Sequence, residues 1–281
     1  MKSNLRFALA AILIFTVVVV HGETNSSYQI FVSNEKSGTL TVISGADFKV
    51  TATIPVGKRP RGLHASPDGK LIYVALSGTP ISAPPKLDAN GNPVFDKKAD
   101  DDDAQADKAA DGIGMVDVAA KKFLRKIPAG SDPEQFSLSA DGRQLYVSNE
   151  DVGTASVLDI TNGRVAHIIR VSREPEGVAT RPDGKVFYVT CETVGEIYAV
   201  DAATAKVIAQ FTVGGRPRSA EFLPDGSRAF IPSESSGELH VIDSQTHQVL
   251  QTVALPKGAR PMCVKVSADA QKIYVSTGRA G

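Results

Sequence analysis

The sequence predicts an all-β chain built from a repeat of about 42 residues, and three observations support this. Five prolines are each followed thirteen residues later by an aromatic residue, as Pro133 is by Tyr146. An Asp-Gly pair or a remnant of it lies between the two, as in "SADG" at 139–142. Short runs of alternating polarity, such as "QLYVSN", lie between these markers and are typical of half-buried strands. Four strands in about 42 residues predict the blades of a β-propeller.

Each repeat divides into four strands, a to d. Strand a begins at the proline, and the Asp-Gly pair favours a tight a-b hairpin with a positive φ. Strand b ends around the aromatic residue, strand c ends at an aspartate, and strand d leads to the next proline. Asp159, Asp201 and Asp243 end strand c in three repeats. We expect these aspartates to be structural, because their side chains can accept local backbone N–H groups.

The count of repeats predicts a propeller truncated in about the sixth blade. The chain begins with strands b, c and d, continues with four full repeats and ends two strands into another. An incomplete ring leaves exposed strand edges, which natural proteins avoid. We therefore expect seven blades in the complete protein.

Two segments depart from the repeat. Residues 1–22 are predicted to be a cleaved signal peptide, because Lys2 and Arg6 precede an apolar run. An uncleaved membrane anchor is the alternative, but ~14 apolar residues are fewer than a spanning helix needs. Residues 77–112 form an acidic insertion in the b-c loop of the second blade, within the propeller of residues 23–281. The run Asp100–Asp103 suggests a solvated loop or a lid that binds a cation or partner, but it lacks calcium-loop spacing and no metal is predicted.

Composition excludes several classes of function. Without the signal peptide the chain has 29 basic and 31 acidic residues, so bulk attraction to nucleic acid or acidic membranes is not indicated. Cys191 and Cys263 lie two repeats apart, and we expect two apolar thiols rather than a disulfide. The five histidines are scattered and no C-x-x-C-H motif occurs, so neither a copper site nor a haem is predicted. We predict no cofactor.

Charged residues flank the repeated proline, and their sign changes from blade to blade. The d-a and b-c loops of a propeller share one face, here called the upper face, around the mouth of the central channel. Proline fixes the crossing between blades, and its neighbours can point into the channel mouth. They can pair across adjacent blades, or the arginines can bind an anionic group. The candidate binding residues are Glu35, Arg59, Arg61, Glu134, Glu150, Glu176, Glu192, Arg216, Arg218, Glu234 and Arg260.

The runs "FVSN" (31–34), "YVSN" (146–149) and "YVTC" (188–191) resemble the YVTN-repeat family of β-propellers. The order of elements, including "GKRPRG" and "EPEG", is most similar to exported propellers associated with PQQ-dependent alcohol catabolism, over residues 28–281. The resemblance implies a periplasmic or secreted binding or scaffold protein without its own catalytic centre. It is specific for fold and weak for activity. A lactonase-like enzyme, a redox-enzyme subunit and a structural cell-surface, surface-layer-like protein are alternatives.

The same resemblance bears on partners. The absence of tryptophan argues against the quinoprotein dehydrogenase itself, whose blades are Trp-rich. We expect a protein partner or a small anionic ligand at the upper face, no nucleic acid, and no stable membrane insertion after cleavage. The full-length protein is expected to be a monomer.

Overall fold

The computed structural model describes residues 18–20, 28–81, 86–87, 93–94 and 106–278. Over these residues the chain forms five four-stranded antiparallel sheets in succession, followed by two strands of a further sheet. The described part contains no helix with the length and apolar character needed to cross a membrane. The predicted all-β propeller of four-stranded blades is confirmed, while a total of seven blades stays a prediction.

Consecutive strands pair within each blade, and the strand bounds follow the predicted repeat. The first two blades and the hairpin between them comprise β1 (Val18–Val20), β2 (Gln29–Asn34), β3 (Thr39–Ser44), β4 (Val50–Pro55), β5 (Pro60–Ala65), β6 (Leu71–Leu76), β7 (Lys86–Leu87), β8 (Pro93–Val94), β9 (Gly112–Asp117) and β10 (Lys122–Ile127). The third and fourth blades comprise β11 (Pro133–Leu138), β12 (Gln144–Asn149), β13 (Thr154–Asp159), β14 (Arg164–Arg170), β15 (Pro175–Thr180), β16 (Val186–Cys191), β17 (Glu196–Asp201) and β18 (Lys206–Thr212). The remaining strands are β19 (Glu221–Phe222), β20 (Arg228–Ser233), β21 (Glu238–Asp243), β22 (Gln248–Ala254), β23 (Arg260–Val266) and β24 (Ile273–Gly278).

The first blade differs from the repeat count. The repeat predicts three strands there, whereas β1 adds a fourth by pairing with β2. β1 lies inside the segment predicted to be a signal peptide, and the rest of that segment lies outside the described residues. Cleavage after Gly22 would remove β1 and leave β2–β4, the three strands of the repeat. The signal peptide stays a prediction.

The second blade contains the insertion, since β6 and β9 are paired neighbours although 35 residues separate them in the sequence. The hairpin of β7 and β8 and a short 3-10 turn, Lys108–Ala110, belong to this segment. The run Asp100–Asp103 lies outside the described residues.

The blades share a common centre. β11 contacts β5 on one side and β15 on the other, and β15 and β23 both contact β19. These are the first strands of their blades, so they form the inner layer, whereas outer strands such as β14 and β22 are largely exposed. His64 on β5 packs edge-on against Phe136 at 5.0 Å. Burial, and then the charge of Lys265 on β23, lower the pKa of His64 to about 4.

The hydrophobic core lies in layers between adjacent blades rather than in one central mass. Each layer combines residues of two neighbouring blades, as where Tyr146 of β12 stacks on Phe187 of β16 with ring centroids 4.1 Å apart. The repeated aromatics Tyr73, Tyr146 and Tyr188 are buried in these layers. Because each blade alone exposes two apolar faces, neighbouring blades stabilise one another.

Turns on the lower face follow the sequence prediction. Gly184 adopts a φ of 70°, which the Asp-Gly hairpin requires. Asp159 Oδ1 accepts the N–H of Thr161 at 2.7 Å, and Asp201 and Asp243 accept equivalent turn N–H groups. The assignment of these aspartates to structure is confirmed.

The end of the "YVSN" run closes the b-c turn. Asn149 Nδ2 donates to Ser156 Oγ at 2.8 Å, and Asn34 Nδ2 donates to Thr41 Oγ1 at the same distance. Cys191 occupies this position in the fourth blade, where burial raises the pKa of its thiol to about 12. Both cysteines are free, as expected, although Cys263 is only partly buried. The asparagine that ends this run therefore has a structural role in the b-c turn.

Phe187→Ala tests the layered core. Phe187 is fully buried, and the change should lower the free energy of unfolding by about 3–5 kcal/mol, since it removes a packed ring and leaves a cavity. Urea unfolding followed by circular dichroism measures this loss. The control Ile168→Ala lies on the outer strand with its side chain largely exposed, and should change stability by less than about 0.5 kcal/mol. Equal effects of the two changes would contradict a core built from interblade layers.

Candidate functional site

The backbone crosses from blade to blade in a left-handed conformation at the residue before the proline. The φ angles are 40° at Arg59, 49° at Asp132, 51° at Glu174 and 58° at Arg216. A non-glycine residue pays roughly 1–2 kcal/mol for this conformation, and a following proline ordinarily favours extended backbone. The strain recurs at four crossings, so the surrounding structure must hold it.

Hydrogen bonds from the b-c loops hold these crossings. The N–H of Glu150 donates to the carbonyl of Asp132 at 3.0 Å, and the N–H of Glu192 donates to that of Glu174 at the same distance. Glu234 donates to Arg216 at 2.9 Å. These three glutamates, each four positions after the repeated aromatic, are thereby fixed beside a proline loop. The upper face therefore brings the two sets of predicted charges together.

A β-bulge follows the proline in the second to fourth blades, where the strand register shifts between the first and second paired residues. Bulges re-aim side chains. Arg61, Glu134 and Glu176 follow these prolines directly, and the two glutamates are almost completely buried. In a regular strand successive side chains point to opposite faces of the sheet. The bulge changes this direction for the residue after the proline, which here lies near the channel mouth.

The eleven predicted site residues and Asp132 form a set of ion pairs, here called the charged ring. Every arginine of the ring contacts a carboxylate of a neighbouring blade. Arg61 lies against Glu134 and Arg218 against Glu192 in very close contacts. The other pairs across blade boundaries are Arg59–Glu35 at 3.0 Å, Arg216–Glu192 at 2.7 Å, Arg218–Glu176 at 2.9 Å and Arg260–Glu234 at 3.6 Å.

Carboxylates are concentrated in the middle of the ring, in an acidic sector formed by Asp132, Glu134, Glu150, Glu176 and Glu192. Two groups of three, Asp132–Glu134–Glu150 and Glu150–Glu176–Glu192, each bring one oxygen per residue within 4.8 Å of the others. Burial, and then the nearby charge of Glu176, raise the pKa of Glu150 and of Glu192 to about 8. Burial lowers the pKa of Arg218, but Glu176, Glu192 and Glu234 outweigh it and the net shift is upward. The acidic sector therefore holds protons near neutral pH.

Asp111 is a supporting residue that the sequence analysis missed. It is buried at the end of the insertion, where its Oδ1 accepts the N–H of Gly78 at 2.7 Å and its Oδ2 accepts the N–H of Asp132 at 3.1 Å. The insertion also pairs with residues next to the ring in sequence, through Lys58–Asp107 and Lys108–Asp151. In the sequence, Asp111 is marked only by its position at the junction between the insertion and strand c.

A pocket of about 300 Å³ opens at the boundary of the fifth and sixth blades. Its walls are the b-c loop at 234–237 and the d-a loop at 255–260, so Arg260 of the charged ring lines it beside Lys257. Glu234, the partner of Arg260, lines the same pocket, so its charged lining is mixed, whereas the middle of the ring is acidic.

The structure brings all eleven predicted residues to the upper face and pairs them with one another. The interpretation that arginines and glutamates pair across adjacent blades agrees with these contacts. Binding of an anionic group by the arginines stays a prediction.

Removing the arginine of a buried pair tests the ring as a stabilising element. Arg61→Ala should lower the free energy of unfolding by about 3–5 kcal/mol, because it leaves the buried Glu134 without its cation. Lys58→Ala breaks an exposed pair with Asp107 and should cost less than about 1 kcal/mol. Chemical unfolding of both variants makes the comparison. If Arg61→Ala costs no more than Lys58→Ala, the ring does not hold the blades together.

Stability should also depend on pH through the acidic sector. An unfolded glutamate has a pKa near ~4.3, so between about pH 5 and 8 the folded protein binds more protons than the unfolded chain. The free energy of unfolding should therefore fall as the pH rises through this window. The turn aspartates, such as Asp201, have a lowered pKa and titrate below it.

Glu192→Gln removes one of the two groups responsible, so its fall in stability between pH 5.5 and 8.0 should be smaller than that of the wild type. Glu221→Gln, which breaks a pair with Lys265 outside the ring, should keep the wild-type slope. Urea unfolding in chelator-treated buffer measures all three proteins. A slope unchanged in Glu192→Gln contradicts the assignment.

Comparisons with known proteins support the fold and no activity. No family model and no curated protein matches the sequence. Among solved structures the chain is similar to Kuenenia stuttgartiensis hydrazine synthase, with a TM-score of 0.72 and 17% sequence identity. The match covers 98% of this chain and 77% of that chain. At this level of identity the similarity concerns the fold alone, and it agrees with the β-propeller built from the repeat.

Proposed function

We propose that the protein is an exported, non-catalytic binding or scaffold module, in the periplasm or secreted, of the YVTN-repeat type. Its upper face binds an acidic surface of a protein partner, and the resemblance to propellers of PQQ-dependent alcohol catabolism suggests a periplasmic alcohol-oxidation system as the setting. The observation that carries this proposal is the charged ring, which gathers charges from the loops of six successive blades on one face.

Two features favour binding over a purely structural ring. The arginine side chains of the ring keep 14–25% of their surface exposed although each is paired, so their guanidinium groups can accept a further carboxylate. The cations also lie at both ends of the ring, with the acidic sector between them. A partner with matching acidic patches is therefore guided to one orientation.

The lower face uses its polar side chains differently. There the aspartates accept backbone N–H groups of their own turns, as Asp141 does from Arg143 at 3.1 Å. Such groups are occupied locally and repeat from blade to blade. The upper face varies, as expected for a surface that recognises one partner.

The partner assay compares two pairs of substitutions with the same change in charge. Arg59→Gln with Arg216→Gln removes two cations from the ring, and Arg143→Gln with Lys185→Gln removes two from exposed lower-face hairpins. Binding to the purified periplasmic PQQ-dependent alcohol dehydrogenase of the same genome is measured by biolayer interferometry. We expect the ring variant to lose at least about tenfold in affinity and the control to bind like the wild type.

Raising the salt concentration should weaken the wild-type complex, since exposed charges are screened. Absence of wild-type binding, or equal loss in both variants, would falsify the proposal. Saturable binding of citrate in place of the protein would instead assign the ring to a small anionic ligand.

A lactonase-like hydrolase is the second candidate, and one observation favours it. Glu150 and Glu192 have pKa values of about 8, close to the range in which a carboxyl group can act as a general acid or base at neutral pH. Hydrolysis of a lactone panel that Glu192→Gln abolishes, without loss of folding, would favour this candidate over the binding module.

A further inference from the structure

We propose that His240 is a pH-sensitive latch on the crossing between the fourth and fifth blades. The neutral imidazole holds the N–H of Gly214, and protonation of the ring releases it. His240 lies on β21 of the fifth blade and is not a member of the charged ring. The inference does not depend on the identity of a partner.

The hydrogen bonds of His240 specify its protonation state. The N–H of Gly214 donates to His240 Nε2 at 3.0 Å. A backbone N–H can only donate, so Nε2 carries no proton in this arrangement. The ring proton therefore lies on Nδ1, which donates to Thr252 Oγ1 at 3.1 Å. Protonation of Nε2 would set two donors against each other and remove the acceptor of Gly214.

The backbone of the crossing packs directly against the imidazole. The residue surface of His240 is only 4% exposed. A Cβ at position 214 would lie 2.9 Å from His240 Nε2 and 2.8 Å from Glu238 Oε2, so glycine is needed for this close approach. The contact leaves no space for a bridging water molecule. We therefore expect the crossing to move when the imidazole stops accepting.

Four elements surround the ring, and they favour its neutral form. Glu238, on the same strand, is the charged group of the described part that acts on it, with Oε2 3.6 Å from Nε2. The outer strand β22 contributes the hydroxyl of Thr252, the b-c loop contributes Ser236 beside Gly214, and the crossing contributes the Gly214 N–H. Burial lowers the pKa of His240 and outweighs the opposing charge of Glu238. Once the ring is protonated, Glu238 is the partner within reach of its Nε2–H.

The preceding crossing is held at the same position of the repeat without a histidine. Ser172 lies three residues before its proline, as Gly214 does, and its Oγ bonds to Tyr198 OH at 3.0 Å and contacts Glu196. Burial raises the pKa of Tyr198, and the bond from Ser172 lowers that of Glu196. Neither group changes charge between about pH 5 and 7, whereas histidine does. The crossing at Gly214 is therefore the pH-sensitive one of the two.

The latch acts on the segment that carries two arginines of the charged ring. Gly214 precedes Arg216 by two residues and Arg218 by four. The carbonyl of Arg216 still accepts the N–H of Glu234 at 2.9 Å when the latch opens, so we expect local loosening rather than unfolding. Acidification should thus loosen one basic end of the ring and leave the other in place.

Amide hydrogen exchange, measured by NMR between about pH 5.0 and 7.5, tests the latch at single residues. Single-residue data are needed because Glu150 and Glu192 also titrate in this range. The protection factor of Gly214 should fall at least about threefold as His240 becomes protonated, the loss expected for one hydrogen bond. The ring signals of His240 report its protonation in the same samples. Val213, whose N–H donates to the carbonyl of Gly195 at 2.9 Å, is the control in the same loop and should keep its protection.

Two variants separate the latch from general effects of acid. His240→Gln supplies an amide oxygen that accepts at every pH, so the protection of Gly214 should no longer depend on pH. His247→Gln makes the same substitution on the lower face of the blade, where His247 contacts Tyr188, and should keep the wild-type behaviour. The wild-type comparison of Gly214 with Val213 decides the matter if His240→Gln does not fold. The proposal is overturned if His240 stays neutral down to pH 5, if Gly214 keeps its protection once His240 is protonated, if Val213 loses protection equally, or if His240→Gln retains the pH dependence.

Discussion

The upper face depends on one hydrogen bond that recurs at successive blade crossings. The carbonyl of the residue before the proline accepts the N–H of a b-c loop residue, as Asp132 accepts from Glu150 at 3.0 Å. A single such bond contributes about 0.5–1.5 kcal/mol, comparable to the cost of the left-handed residue that it holds. The hydrogen bond therefore offsets the strain of the left-handed residue. It fixes both loops, so the charges that they carry meet at set positions.

Much of this architecture is predictable because the markers of the repeat are backbone requirements. Proline, Asp-Gly and the strand-ending aspartates specify conformation locally, so their spacing locates the strands. Glu150 and Glu192 lie beside the proline loops because the spacing of the repeat places both on the same face of the propeller. The left-handed φ of Asp132 was not predictable, since a following proline favours extended backbone. Asp111 escaped notice because its partner, Asp132, is distant in sequence and is reached only once the blades pack.

Pairing within the ring and recognition of a ligand are compatible on energetic grounds. A buried ion pair such as Arg218–Glu176 gains little net stability, since desolvation offsets attraction. Its value lies in orientation, because paired guanidinium groups lose less freedom when a ligand arrives. The excess of carboxylates in the acidic sector gives the middle of the ring a different chemistry from its ends. The two ends of the ring, where the cations lie, are therefore the parts of this face that suit an anionic partner.

The pairs across blade boundaries constrain how such a protein can diversify. Repeat proteins commonly grow by duplicating a unit, and a propeller of neutral blades could accept a copy anywhere. Here the third blade carries Glu134 and Glu150 and relies on Arg61 of the second blade. A tandem copy of the third blade would add further carboxylates beside those of the fourth blade and would supply no new ring arginine. The charges at each junction therefore fit only one order of blades. Rearranging the blades would require compensating charge substitutions on both sides of each junction.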